Sequence, residues 1–367
     1  MSIKYSKSSI EKIKGIDYLK LKEKDYYSTG YAYGILLIKS KNPMIKILKN
    51  PFVKIFLSTL YAITKKHYKN IRIPKEYLDE IRGYSDSTGI SYKHLFLLNF
   101  GFDVLTRYGF HCSTISFFNK KNVLVGRNTD VPPHVAIVSL KYAKSIIVDV
   151  AIPGKKRFTH VSIPLFVGAL NGFNEDGIAV NSHQIREVNE EIKDNRLATS
   201  VLVRVALEES NNLKSAEQVI RKNITTRSLN VMITSKKERK SKILEIHPHN
   251  IGIINNKNDI HTCCVTYFQT AHMQKLHNGP SERPKIRIKL MQDLVDKHKE
   301  MSYNNLIEIL KDHRNGLKYP EGKRSITNEG TFQSFILDLT NNVIIISNGD
   351  KRPVSLSGEY VKIKLDK

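Results

Sequence analysis

Cys112 heads a β-branched and aromatic run, Cys112-Ser113-Thr114-Ile115-Ser116-Phe117-Phe118. The next apolar run, Val123-Leu124-Val125-Gly126-Arg127-Asn128-Thr129-Asp130, ends on a guanidinium and a carboxylate. A thiol, a cation and a carboxylate are the parts of an activated nucleophile: the cation favours thiolate and the carboxylate orients a basic partner. The polar stretch Asn119-Lys120-Lys121-Asn122 between the runs predicts a β-hairpin. With the loop symmetric about Lys120 and Lys121, paired residue numbers sum to 241. Cys112 then faces Thr129 and shares a face with Arg127, with Asp130 one step further along. A buried, inert thiol beside an ordinary Arg–Asp pair fits the same residues.

A cysteine nucleophile also needs a base. His111, His183, His247, His249, His261 and His272 offer dyads among which the sequence does not choose. One arrangement needs no histidine: a cut before Cys112 frees an α-amine next to its own thiol. With an ordinary pKa of about 7.7–8.0, such an amine shuttles protons at neutral pH. Asp130 would then hold the ammonium.

Cys112-Ser113-Thr114 with Gly126-Arg127-Asn128-Thr129-Asp130 resembles the start of the mature β-chain in N-terminal-nucleophile (Ntn) hydrolases. The group is the one holding choloylglycine hydrolases, acid ceramidase, N-acylethanolamine-hydrolysing acid amidase and isopenicillin N acyltransferase. Gly168 to Gly177 is similar to its Gly-x-Asn-Glu-x-Gly segment, Arg204 with Leu207-Glu208 to its Arg-x-x-Leu-Glu helix, and Thr331-Phe332-Gln333-Ser334 through Gly349 to its closing strands. Glu80-Ile81-Arg82-Gly83 and Gly89-Ile90-Ser91 resemble the propeptide of the acyltransferase branch.

The resemblance implies an α+β fold, a four-layer αββα sandwich of two antiparallel sheets with outer helices. A mainly helical α-chain, residues 1–111, would precede the β-chain, 112–367, and form one compact domain with it. The chain would cut itself between His111 and Cys112. Cys112 would then attack a linear, non-peptide acyl amide, with hydrolysis or acyl transfer following and no cofactor or metal needed. Arg127 would line the pocket and bias the thiol toward thiolate; Asn174, Gln184 and Arg283 would contact substrate. Where the family has a Thr-Asn pair whose amide donates to the oxyanion, this chain has Thr262-Cys263. Cys263 is a weak donor, and losing one such donor typically costs ~10²–10³ in rate. Asn255, Asn256 and Asn258 lie close by in sequence as substitutes. A second functional reading follows: a catalytically weakened relative acting as a binding protein at anionic membranes.

The elements that must position these residues read as follows. Residues 1–25 form a polar lead-in, and mainly helical segments run on to residue 111. Short strands follow at Ala136 to Leu140, Ser145 to Val150 and Thr159 to Ile163, then a strand–turn–strand about Asn174 to Gly177. Helices at Leu197 to Glu209 and from Ser215, strands from Leu229 to Ile254, helices at Arg283 to His298 and Tyr303 to His313, and closing strands complete the chain.

The chain carries 59 Lys and Arg against 35 Asp and Glu, a net +24. That excess suits anionic partners such as a membrane surface, and an amphipathic basic segment spans Pro43 to Lys69. No zinc-finger, helix-turn-helix or RNA-binding pattern supports a specific nucleic-acid role. Three cysteines, two of them adjacent, make no disulfide framework. His261, Cys263 and Cys264 have no second ligand cluster at a metal-site spacing. Met1 to Lys24 holds no apolar signal core, which predicts a cytoplasmic protein, membrane-associated if the basic segment docks.

Overall fold

The computed structural model describes residues 7–105, 111–185, 188, 195–255, 260–278 and 282–366. The chain opens on a hairpin, β1 (Ser9–Ile13) and β2 (Ile16–Lys22). It continues through α1 (Tyr26–Lys39), α2 (Pro43–Leu48), α3 (Pro51–Thr64), β3 (Ile71–Arg72), α4 (Lys75–Thr88) and α5 (Tyr92–Leu105). The hairpin β4 (His111–Phe118) and β5 (Val123–Asp130) follows, then α6 (Pro133–Tyr142), β6 (Ile146–Ala151), β7 (Phe158–Ser162), β8 (Phe173–Asn174), β9 (Ile178–Gln184) and β10 (Arg196–Leu197). Helices α7 (Leu202–Glu209) and α8 (Leu213–Lys222) lead to β11 (Leu229–Ser235), β12 (Lys240–His247), β13 (Asn250–Asn255) and β14 (His261–Val265). The chain closes with α9 (Ala271–Gln274), α10 (Glu282–Val295), α11 (Tyr303–Lys311), β15 (Thr331–Asp338), β16 (Val343–Asn348), α12 (Val354–Ser357) and β17 (Glu359–Lys364).

Nine strands form one sheet in the order β1-β2-β6-β7-β8-β9-β11-β12-β13, and six form another, β14-β4-β5-β15-β16-β17. Because side chains alternate along a strand, each sheet has two apolar faces to cover. Tyr18, Val123, Val125, Ile147, Met232 and Phe335 pack in a core between the sheets. Tyr33, Tyr77, Phe100, Leu202 and Ile220, from α1, α4, α5, α7 and α8, cover the other face of the larger sheet. Met291 and Leu306, from α10 and α11, cover Leu124 and Ile336 on the smaller one. The result is the four-layer αββα sandwich. Two pairings among the described residues depart from the antiparallel expectation: β2 runs parallel to β6, where the N-terminal hairpin joins the larger sheet, and β3 runs parallel to β10 in a separate two-stranded sheet.

That hairpin replaces the expected polar lead-in. Ile13 pairs with Ile16 across a two-residue turn, and Lys14 and Gly15 take positive φ of 46° and 85°, the type I′ turn of tight hairpins. β1 is polar because it is the sheet's edge, and β2 carries the buried residues. The expected strand at Ala136 to Leu140 is α6 instead. Pro132 caps it and Pro133 occupies its first turn, where fixed φ suits a helix; Ala136 and Leu140, one turn apart, are the buried pair.

Before β4, α1 crosses α4 closely. A Cβ on Gly30 would overlap the Glu80 carbonyl, and one on Gly83 the Tyr27 carbonyl, so both positions require glycine. Behind this crossing Arg204 of α7 lies buried between Glu80 Oε2 at 2.7 Å and Glu208 Oε1 at 2.8 Å. Tyr26 and Tyr77 hydroxyls donate to Glu208 Oε2 at 2.9 and 2.8 Å. The Arg-x-x-Leu-Glu segment thus ties the N-terminal helices to the layer that follows Cys112.

Candidate active site

The hairpin register is the one the symmetric loop predicts: Cys112 pairs with Thr129, Thr114 with Arg127 and His111 with Asp130. Cys112, Thr114, Arg127 and Thr129 share the face turned toward the larger sheet. Arg127 is fully buried and every nitrogen of its guanidinium is used. Nη2 donates to Cys112 Sγ at 3.0 Å and to the Ser182 carbonyl at 2.8 Å. Nη1 donates to Thr114 Oγ1 and Nε to Thr129 Oγ1, both at 3.2 Å. This fork holds the thiol, both strands of the hairpin and β9 in one arrangement.

Burial pushes the Cys112 thiol pKa up; Arg127 pulls it down, and burial is the larger effect. The expected bias toward thiolate is therefore outweighed in the intact chain, where no part of Cys112 reaches solvent. His183 touches this group from β9: Nε2 lies 2.7 Å from Thr114 Oγ1 and Nδ1 3.4 Å from Cys264 Sγ. Burial, with the Arg127 charge added, holds His183 well below the usual imidazole range, so it is neutral. Among the described residues no histidine hydrogen-bonds Cys112.

Asp130, one step on from Thr129, points to the opposite face of the hairpin and stands across from His111. Its carboxylate accepts from Arg287 Nη1 at 3.0 Å, Asn328 Nδ2 at 2.8 Å and Thr331 Oγ1 at 2.7 Å. A bulge between Thr331 and Gln333 in β15 lies beside it, the kind of irregularity that re-aims side chains. Burial raises the Asp130 pKa against the pull of Arg287 and the two neutral donors.

The model of the acyl-coenzyme A:6-aminopenicillanic acid acyl-transferase family matches residues 117–353, more than half of the chain. The chain belongs to this family. It is thereby an Ntn hydrolase of the linear-amide group, in agreement with its layers. The matched segment contains Arg127 and Asp130 and starts just after Cys112. Similar solved structures include the N-acylethanolamine-hydrolyzing acid amidase ortholog of Caenorhabditis elegans, at 14% identity over 62% of this chain and 93% of that one, TM-score 0.46. Penicillin V acylase from Agrobacterium tumefaciens is similar at 13% identity over 69% and 86%, TM-score 0.45. A mutant conjugated bile acid hydrolase from Clostridium perfringens is similar at 12% over 70% and 97%, TM-score 0.46. No curated protein matches the chain.

Within this acyltransferase-family chain, the remaining expected site residues scatter. Gln184, at the end of β9, lines a pocket with Arg127, Phe166, Leu170, Ser182 and Leu229. Asn174 is not brought to that pocket: its Nδ2 donates to the Leu207 and Ser210 carbonyls at 3.0 and 2.7 Å and its Oδ1 accepts from the Ile178 N–H. It fastens a turn to α7. Arg283 is half-exposed and pairs with Glu321 at 3.4 Å; Arg287, one helical turn further on, is the arginine that reaches Asp130. Arg287 is legible afterwards as the charged member of the buried stripe of α10, beside Ile288 and Met291.

Cys263 and Cys264 pair with Ile115 and Thr114 and face opposite ways. Cys263 packs in the outer cluster with Met291 and Leu306, Cys264 in the core between the sheets. The residue that shares the Cys112 face is therefore Cys264, not Cys263. The same opposition prevents the two thiols from joining one metal. Asn256, Asn258 and Ser281 lie outside the described residues.

Proposed function

We propose that the chain is a self-processing cysteine amidase or acyltransferase acting on linear, non-peptide acyl amides through a Cys112 acyl-enzyme. The observation carrying this reading is the 3.0 Å contact between Arg127 Nη2 and Cys112 Sγ in a chain of this amide-acting family. Processing begins when Sγ attacks the His111 carbonyl carbon. The C–N bond breaks, the acyl group passes to sulfur, and the nitrogen takes the thiol proton. Water then cleaves the thioester, leaving a carboxylate on His111 and a thiol beside a free amine on Cys112. Asp130 stands directly across from His111, so that amine forms next to the carboxylate that Arg287 pins.

In turnover the amine takes the thiol proton, sulfur adds to the substrate carbonyl, and the ammonium returns its proton to the departing amine. Water or a second amine releases the acyl group. The pocket at Arg127, walled by Phe166, Leu170 and Leu229, suits an acyl chain, with Gln184 as its polar contact.

Denaturing mass spectrometry tests the proposal. It expects two separate pieces, residues 1–111 and 112–367, a Cys112→Ala variant that stays whole, and a substrate-acyl adduct on residues 112–367. A whole wild-type chain with no adduct across an acyl-amide panel overturns it. That outcome would favour the second reading, a non-catalytic relative, which one observation supports: the inner face of β14 presents Cys264, a weak donor, and no amide.

A further inference from the structure

We infer that α3, together with α6, is a docking face for a bilayer containing anionic lipid. This inference is independent of the proposed chemistry. Among the described residues the six most exposed large apolar side chains all lie on these two helices: Phe52 (82%), Ile55 (67%), Ile63 (64%), Phe56 (63%), Val138 (56%) and Ile137 (51%). On α3 the spacing 52, 55, 56, 63 is one helical face. The opposite side of α3 is fixed to the protein. Leu57, Leu60 and Tyr61 pack against the helical core, Ser58 Oγ lies 2.8 Å from His94 Nε2, and Tyr61 meets Phe96 edge-on at 6.1 Å between ring centroids. The bare face is therefore held outward by a rigid helix. α2 touches both α3 and α6, which places the two apolar sets on neighbouring elements.

Charge selects the occupant. No Asp or Glu occurs between Asp25 and Glu76, while Lys39, Lys41, Lys46, Lys49, Lys54, Lys65, Lys66, Lys69, Arg72 and Lys75 do. Lys49, Lys54, Lys65 and Lys66, on α3 or just off its ends, are exposed. An apolar ridge collared by lysines without acidic relief matches acyl chains beneath anionic headgroups. At fourteen residues α3 is too short to cross and would lie in the interface plane.

The test is sedimentation of the full chain with phosphatidylcholine vesicles, with and without phosphatidylglycerol, at low salt and at about 0.5 M, where charge effects beyond a few Å are screened. Wild type should pellet with the anionic vesicles and lose part of that binding at high salt. The F52E/F56E variant, altered only at exposed positions, should keep its fold by circular dichroism and bind at least about tenfold more weakly. K54E/K65E should lose the preference for anionic lipid. Wild type remaining in the supernatant, or F52E/F56E binding undiminished, overturns the inference. A dimer by sedimentation equilibrium that F52E/F56E dissociates also overturns it, since a second copy would then cover the face.

Discussion

Arg287 Nη1 lies 3.0 Å from Asp130 Oδ2 with both side chains almost wholly buried. The pair joins α10, on the outside of the smaller sheet, to the last residue of β5. Arg287 also donates to the Lys323 carbonyl at 2.9 Å and to Ser113 Oγ at 3.3 Å. A buried ion pair is held in place by what happens when one partner goes: the other charge is left without water or counterion.

Arg287→Met should therefore lower stability by roughly 3–5 kcal/mol, read as a fall in thermal or urea midpoint, and should stop processing. Arg283→Met, which loses a half-exposed pair, should change stability by under about 1 kcal/mol. Equal effects of the two substitutions would contradict the assignment.

Arg127→Lys keeps a charge and loses the fork that contacts Cys112, Thr114, Thr129 and Ser182 together. Acyl-enzyme formation should fall by about 10²-fold or more, with circular dichroism unchanged. Near-wild-type rates would show that the four contacts are only structural.

Cys264→Asn places an amide donor on the inner face of β14, and Cys263→Asn places one in the apolar outer cluster. The first should raise kcat; the second should leave kcat alone and cost roughly 1–3 kcal/mol of stability for an unpaired buried amide. Steady-state kinetics with one soluble acyl amide, beside melting curves, separates the two.

His160 predicts the acid limb of stability. Burial, then the Arg204 charge, lowers its pKa to about 3. The unfolded imidazole takes a proton near pH 6.5 and the folded one does not until about 3. The unfolded state thus binds more protons across that window, and stability falls as pH drops through it. Wild type should lose up to about 1.4 kcal/mol per pH unit more than His160→Gln between pH 6 and 4. Parallel profiles in pH-dependent melting would remove His160 from the account.

The hairpin is legible because its loop is symmetric and its strands are uninterrupted; its register and the face shared by Cys112 and Arg127 follow from residue numbers alone, whereas the contact between them is seen only in the structure. Other features depend on the third dimension. Two adjacent thiols on a strand must face opposite ways, and nothing local says which side the other sheet covers, so the sequence does not show that Cys264, and not Cys263, shares the face of Cys112. Arg283 and Arg287 sit on the same helix, and only the position of Asp130 chooses between them. The N-terminal hairpin is hard to see in the sequence because β1 is an edge strand with the polar composition edges carry. Asn174 matched a family segment whose work here is to fasten a turn.

The parallel seam between β2 and β6 has a bearing on how the polypeptide must be handled. β2 comes from upstream of the proposed scission point and β6 from downstream, so neither fragment owns a finished sheet. Scission would yield two interlocked pieces that run together on a sizing column and part only in denaturant. A recombinant polypeptide started at Cys112 would carry a naked β6 edge and a larger sheet whose outer face keeps α7 and α8 but lacks α1, α4 and α5, and should be recovered from inclusion bodies unless residues 1–111 are supplied alongside it.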